Sequence, residues 1–177
     1  MTNAVLEAIR TRRVARALTG APVERGLVEE ILKAARWAPS GGNRRLHRFV
    51  AVQDPTTLRL LRMVSPGMFQ RPQAVVVICI DGERARSFGM LPTAKGLYVD
   101  IGTAAQTMLL AAHSLGLGAG LVTSFSRAAA GAVLNLPEGM SAEMFICLGF
   151  AAPQQPSVIR PRTPVTWQSL SHWERFP

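Results

Sequence analysis

The stretch Arg36-Trp-Ala-Pro-Ser-Gly-Gly-Asn43 decides how this chain is read. It closes an amphipathic pattern in which Leu27, Val28, Ile31, Leu32 and Ala35 recur at helical spacing. Pro39 and Gly41-Gly42 then stop the helix. The loop that follows is built of small residues with little bulk and many backbone N–H groups. A flat polar ligand can approach such a backbone closely. Upstream lies the arginine cluster Arg12-Arg13-Val14-Ala15-Arg16. An arginine cluster at the end of a short helix suits a phosphate, because the guanidinium fork matches its oxygens. Together the two segments suggest a planar cofactor that carries a phosphate.

Working outward, Asn3–Arg12 reads as a helix, with Val5, Leu6 and Ile9 apolar and Asn3 a candidate N-cap. Pro22 leads into the helix that Pro39 ends. Phe49–Val52 predicts a short strand, and Asp54-Pro55-Thr56 opens a helix carrying Leu58, Leu61 and Met63. Ala74–Ile80 is apolar on both faces and rich in β-branched residues, so it predicts a central buried strand. Asp81–Pro92 reads as irregular and polar, a candidate mobile cover. From Gly96 to Leu115 runs the longest helical pattern, a core helix with small residues that permit close packing. Gly116–Val122 leaves that helix for a strand, Ser126–Leu134 is a short helix, and Met144–Phe150 another buried strand. The glycines at 116, 118 and 120 follow a helix. A Rossmann phosphate turn needs strand, glycines, then helix, so dinucleotide binding of that kind is rejected. Helices and strands mix without regular βαβ alternation, which predicts a single α+β domain over residues 1–177. The tail from Ala151 has five prolines and no evident core of its own, the kind of arm that packs on a partner subunit.

Composition sets the outer bounds. With 177 residues, 48% of them hydrophobic, the chain can bury a real core and is not disordered. The longest apolar run, Ala74–Ile80, is far too short to cross a bilayer. Glu7 and Arg10 interrupt the apolar residues near the N-terminus, so no secretory leader is read there and a cytoplasmic location is expected. Cys79 and Cys147 sit in apolar runs and read as buried free thiols. His47, His113 and His172 are scattered, and no metal site is expected. The net charge is +9 and nearly all the basic residues are arginines. That charge can steer an anionic ligand or nucleic acid, serve a phosphate site, or reflect codon bias. Nucleic-acid binding is disfavoured: aromatic content is 6%, and no aromatic residue is interleaved with a basic run.

Four fragments in order resemble the nitroreductase family. Arg12-Arg13-Val14-Ala15-Arg16 is similar to its Arg-Arg-Ser-x-Arg element. Ala38-Pro39-Ser40-Gly41-Gly42-Asn43-Arg44-Arg45-Leu46-His47 is similar to Ala-Pro-Ser-x-x-Asn-x-Gln-Pro-Trp. Asp100-Ile-Gly102-Thr-Ala104-Ala-Gln106 and Ala111-Ala112-His-Ser-Leu-Gly116-Leu117-Gly118 resemble the family's central helix and the turn after it. Ile159-Arg160-Pro161-Arg162 resembles its closing basic element. The resemblance implies a three-layer α+β fold with a central mixed or antiparallel sheet flanked by helices. It also implies a homodimer with an exchanged C-terminal arm and FMN at the interface. On the matched positions, Arg12, Arg13, Val14 and Arg16 would line the ribityl-phosphate side, with Arg160 and Arg162 approaching the phosphate. Pro39, Ser40, Gly41 and Asn43 of the second protomer would flank the ring, and Val122, Thr123 and Ser124 would lie against its other side. Chemistry would sit on flavin N5, with NADH or NADPH as co-substrate and no dedicated protein acid or base.

Two departures matter. Val14 stands where the family has a hydroxyl residue. Arg45-Leu46-His47 replaces Gln-Pro-Trp, which makes Arg45 and His47 candidate pocket cations; the alternative turns Arg45 to solvent and starts the next strand at His47. The expected activity is ping-pong transfer from NAD(P)H to a nitroaromatic, quinone or similar acceptor. Ser65-Pro66-Gly67, Ala111-Ala112-His113 and Val122–Phe125 are also similar to flavin oxidases that desaturate cyclic dipeptides. A flavin- or anion-binding protein without turnover is the third reading.

Overall fold

The computed structural model describes residues 3–153 and 165–176. Its centre is the predicted buried strand, here β2 (Ala74–Asp81). Side chains alternate along a strand, so Val76, Ile78 and Ile80 point to one face and Val75, Val77 and Cys79 to the other. Both sets are almost fully buried, at roughly 1.5–3 kcal/mol of hydrophobic stabilisation for each aliphatic side chain. β1 (His47–Val52) and β4 (Met140–Gly149) pair with β2 on either side, and β3 (Gly118–Val122) pairs with β4. The order is β1-β2-β4-β3 and every strand pair is antiparallel. Among the described residues the expected mixed-or-antiparallel sheet is therefore antiparallel in its named strands.

Helices cover both faces and complete three layers. On one face lie α2 (Arg25–Ala35) and the twenty-residue α5 (Lys95–Ser114), whose Ile31, Ile101, Ala104 and Met108 meet the Val76 side of the sheet. On the other lie α3 (Pro55–Met63) and α6 (Arg127–Val133), bringing Leu61 and Ala130 against Val75, Val77 and Phe145. Phe125 stacks on Phe145 with ring centroids 4.0 Å apart. The amino-terminal helix, α1 (Ala4–Thr11), is capped as predicted: the Asn3 side chain accepts from the Val5 and Leu6 amides.

Three sequence expectations are corrected. Asp81–Pro92 is not irregular throughout, since Gly82–Ser87 forms α4. The Asp81 carboxylate accepts from the Arg84 amide, and Ala85 is buried, so a cap and one apolar anchor suffice for this short helix. β4 begins at Met140 rather than Met144, because Ser141 and Glu143 hide it from an apolar scan. Glu143 is buried there and meets Arg127 at 2.8 Å. β1 begins at His47 rather than Phe49.

Candidate functional site

The arginine cluster is set against the sheet by backbone pairing. Past α1 the chain runs beside β3: Val14 bridges Ala119, and the Ala15 amide donates to the Ala119 carbonyl at 2.9 Å. Glycine in β3 permits this approach. A Cβ on Gly118 would come within 2.8 Å of the Ala15 side chain, and one on Gly120 within 2.9 Å of both the Ala15 carbonyl and the Gln70 amide. The cluster thus lies along the edge strand, with Val14 and Arg16 exposed. Arg13 is exposed too, and its guanidinium donates to the Arg10 and Arg12 carbonyls.

Arg12 is the exception. Its Nε and Nη1 are buried without a hydrogen-bond partner among the described residues. An unpaired guanidinium away from water is costly, which marks a place for an anion. The residues therefore fit a phosphate-bearing group, with Arg12 offering two free donors to it.

β3 carries the chain directly into Val122, Thr123 and Ser124. Val122 is buried, while Thr123 and Ser124 are exposed. The Ser124 carbonyl accepts from the Gly67 amide at 3.0 Å, and a Cβ on Gly67 would collide with Ser124. The same strand edge therefore brings the Arg12 cluster, Val122–Ser124 and the Gly67–Gln70 segment together. Gln70 was not legible as a site residue. Its side chain is buried between Gly120 and Cys147, and it lies next to the Ala15 backbone.

The loop from Pro39 to Asn43 is held elsewhere. Asp100, buried in α5, accepts from the Gly41 amide at 2.9 Å, and the Thr103 hydroxyl donates to the Pro39 carbonyl at 2.8 Å. The Ser40 hydroxyl accepts from the Arg45 amide. Gly42, Asn43 and Arg45 all adopt the left-handed backbone region, which holds the loop in a tight turn. Asp100 and Thr103 are the anchors that sequence reading missed. A carboxylate on the buried face of an apolar helix was the available signal.

At the far end of α5, Thr11 of the arginine-bearing segment lies 3.0 Å from His113. Asp100 and His113 are thirteen residues apart on one helix, about 20 Å at the usual rise. Within one chain, then, the Pro39–Asn43 loop and the Arg12 cluster are moored near opposite ends of α5. No hydrogen bond or ion pair joins them among the described residues.

His47 opens β1 and is buried, its ring 5.1 Å from that of Phe49 and its Nδ1 without a partner among the described residues. Burial pushes its pKa down; nearby Asp100 pulls the other way, and Arg48 and Arg45 push further down. His47 is thus held neutral and contributes a polar ring rather than charge. Arg45 is exposed, as are Arg44 and the rest of the turn. Arg44 lies over the Phe88 ring at 5.0 Å and donates toward the Met90 sulfur, tying the turn to the segment after α4. Arg160 and Arg162 lie outside the described residues.

Comparison with known proteins agrees with this geometry. The model of the Nitroreductase family matches residues 9–79 and 64–150. A Methanothermobacter thermautotrophicus protein described as an NADH dehydrogenase/NAD(P)H nitroreductase is 37% identical over 118 residues, 65% of this chain and 58% of that protein. The match thus spans less than two thirds of that relative's length. A Desulfovibrio desulfuricans protein described as a nitroreductase, solved in complex with FMN, superimposes with a TM-score of 0.78 at 30% identity, covering both chains fully. The NADPH:FMN oxidoreductase of Vibrio harveyi, solved with NAD+, gives 0.81 at 26% identity, over 99% of this chain and 79% of that one. With the edge-strand arginine cluster, the anchored Pro-Ser-Gly-Gly-Asn turn and the antiparallel three-layer core all in place, the chain belongs to the nitroreductase family.

Proposed function

We propose that the protein is an FMN-dependent oxidoreductase that takes reducing equivalents from NADH or NADPH and passes them to a nitroaromatic, quinone or similar small acceptor. The observation that carries the reading is the pair of buried, unpartnered nitrogens of Arg12, Nε and Nη1, on a segment that Gly118 and Gly120 let approach the edge strand closely. Bound FMN supplies the hydride chemistry, and the protein supplies binding and orientation. Arg12, with Arg13, Arg16, Arg160 and Arg162, neutralises the phosphate. Val14 lines the ribityl-phosphate side with the arginines, and Val122, Thr123 and Ser124 bound one side of the ring. Pro39, Ser40, Gly41 and Asn43 bound the other and are held rigid through Asp100 and Thr103. Arg45 stands at the rim as the candidate for selecting an anionic partner.

The chain's own thiols take no part. Burial pushes both Cys79 and Cys147 up to about 12, so neither forms a thiolate near neutral pH. Two reduced cysteines accord with a cytoplasmic location, and no helix among the described residues is long and apolar enough to cross a membrane.

The functional unit is a homodimer of 1–177 domains with an exchanged C-terminal arm. Two features support it. The cofactor-facing segments are anchored about 20 Å apart in one chain, so a partner must bring them together. Large apolar side chains are also exposed on α1, on α5 at Tyr98 and Val99, and on the tail at Trp167, Leu170, Trp173 and Phe176. Exposed apolar surface of that extent marks an interface.

Anaerobic titration of the flavin-loaded protein with NADH and NADPH tests the reading. Bleaching of the flavin bands by either donor, with recovery on adding a quinone, is the expected result. A flavoprotein that neither donor bleaches points instead to an oxidase or passive carrier, and a protein that purifies and reconstitutes without flavin sinks the proposal.

A further inference from the structure

A second basic cavity lies apart from the Arg12 edge. It measures about 280 Å³ and is lined by Arg59, Arg62 and Arg71, with Gln53, Gln73 and Leu58. Arg59 and Arg62 sit one turn apart on α3, where like charges repel. Arg71 faces the same cavity from the segment that leads into β2, which the Gln73 amide fixes by donating to the Leu148 carbonyl at 3.0 Å. Among the described residues, none of the three guanidinium groups makes an ion pair or side-chain hydrogen bond. The adjacent acid, Asp54, is committed to capping α3, accepting from the Thr57 amide and hydroxyl at 2.7 and 2.8 Å. Residues 154–164 contain no acid that could pair with them either.

We propose that this cavity is an anion site for a phosphorylated small molecule, separate from the flavin phosphate site. The forked donors match phosphoryl oxygens, and three arginines lining one cavity favour a multiply charged anion. Amides from Gln53 and Gln73 can supply the neutral hydrogen bonds that fix orientation. The volume admits a phosphoryl group with a small attached body, at the lower end of ligand pockets. Gln53 prolongs β1 at one sheet edge, whereas Val14 bridges β3 at the other, three strands away or about 14 Å; Arg71 directly follows Gln70, which borders the Arg12 segment, so the cavity runs from the β1 edge toward that segment.

The test is isothermal titration with inorganic pyrophosphate at constant ionic strength, in the presence of saturating FMN so that the Arg12 cluster is filled. The wild type should bind with one site per chain. Arg59→Gln and Arg62→Gln should each weaken binding about tenfold or more, the loss expected for a charge-assisted contact. Arg86→Gln, which removes the same charge from an exposed position on α4, at the other end of β2, should leave it unchanged. Arg71→Gln lies outside any helix and gives the same reading should the α3 variants fail to fold. Absence of saturable binding, or equal weakening in Arg86→Gln, would overturn the site in favour of diffuse attraction to a chain of charge +9. So would a cavity that binds duplex DNA or an acidic peptide through these arginines but not pyrophosphate.

Discussion

At the scale of single residues, Arg12 and His47 show how burial sets chemistry. Arg12 carries its charge into the protein with no partner for two of its nitrogens. A charge-assisted bond is worth roughly 1.5–3 kcal/mol, so Arg12→Ala should weaken FMN binding about tenfold or more. Arg162→Ala should act similarly if the closing basic element reaches the same phosphate. Fluorescence titration of FMN reads both, and unchanged affinity in the pair would remove the phosphate from this end of the fold. His47 responds to burial in the opposite sense, because its neutral form is the one the interior tolerates. Its folded pKa lies below the unfolded value of about 6.5. Between the two, the unfolded chain binds more protons. The stability is therefore fully present above pH of about 6.5 and is lost as the pH falls through the folded pKa. Denaturant melts across pH 5–8 should show this loss in the wild type and a shallower one in His47→Gln. Equal slopes would mean that other groups govern the acid limb.

At the scale of elements, the close approach of the arginine segment to β3 depends on glycine. Gly120→Ala places a methyl group 2.9 Å from the Ala15 carbonyl and the Gln70 side chain. One of them must move, and both border the cofactor edge. The variant should fold, since its other neighbours stay in place, yet hold FMN more weakly and melt a few degrees lower; a variant with native FMN affinity would show that the edge tolerates displacement. The glycine run after α5 was visible in the sequence, and its order excluded a Rossmann turn, but its actual role was not. That role rests on contact with residues a hundred positions earlier, which local patterning does not carry. The strands and helices with clean periodicity were legible: β2, α2 and α5 fall within about a residue or three of their expected ends. The elements that polar residues disguise were not. Glu143 hid the start of β4 until its ion pair with Arg127 was seen, and α4 follows from a cap rather than a pattern. In the candidate site, the arginines and the small-residue loop were legible as types, whereas Asp100, Thr103 and Gln70 act through distant partners.

At the scale of the whole molecule, one chain exposes large apolar side chains of the kind that the proposed dimer would cover. Val5 and Leu6 of α1 are each 64% exposed, and Trp173 and Phe176 of the tail are 79% and 78% exposed. Obligate dimers bury roughly 2,000–5,000 Å² of mostly apolar surface, and in the proposed dimer α1, the outer side of α5 and the tail would contribute to it. The Pro39–Asn43 loop and the Arg12 cluster sit near opposite ends of α5, and in the proposed dimer the partner's loop would close that distance. Assembly and flavin retention should therefore fail together. Leu170→Asp combined with Trp173→Asp leaves every arginine in place but puts two charges on the apolar side of the tail. Light scattering should then show a shift from dimer to monomer at micromolar concentration, and the flavin absorbance per chain should fall in parallel. Arg12→Ala, in contrast, should lose flavin while remaining dimeric. A monomeric double variant that keeps its full complement of FMN would show that each chain builds a complete site alone, and the exchanged arm would then have no part in holding the cofactor.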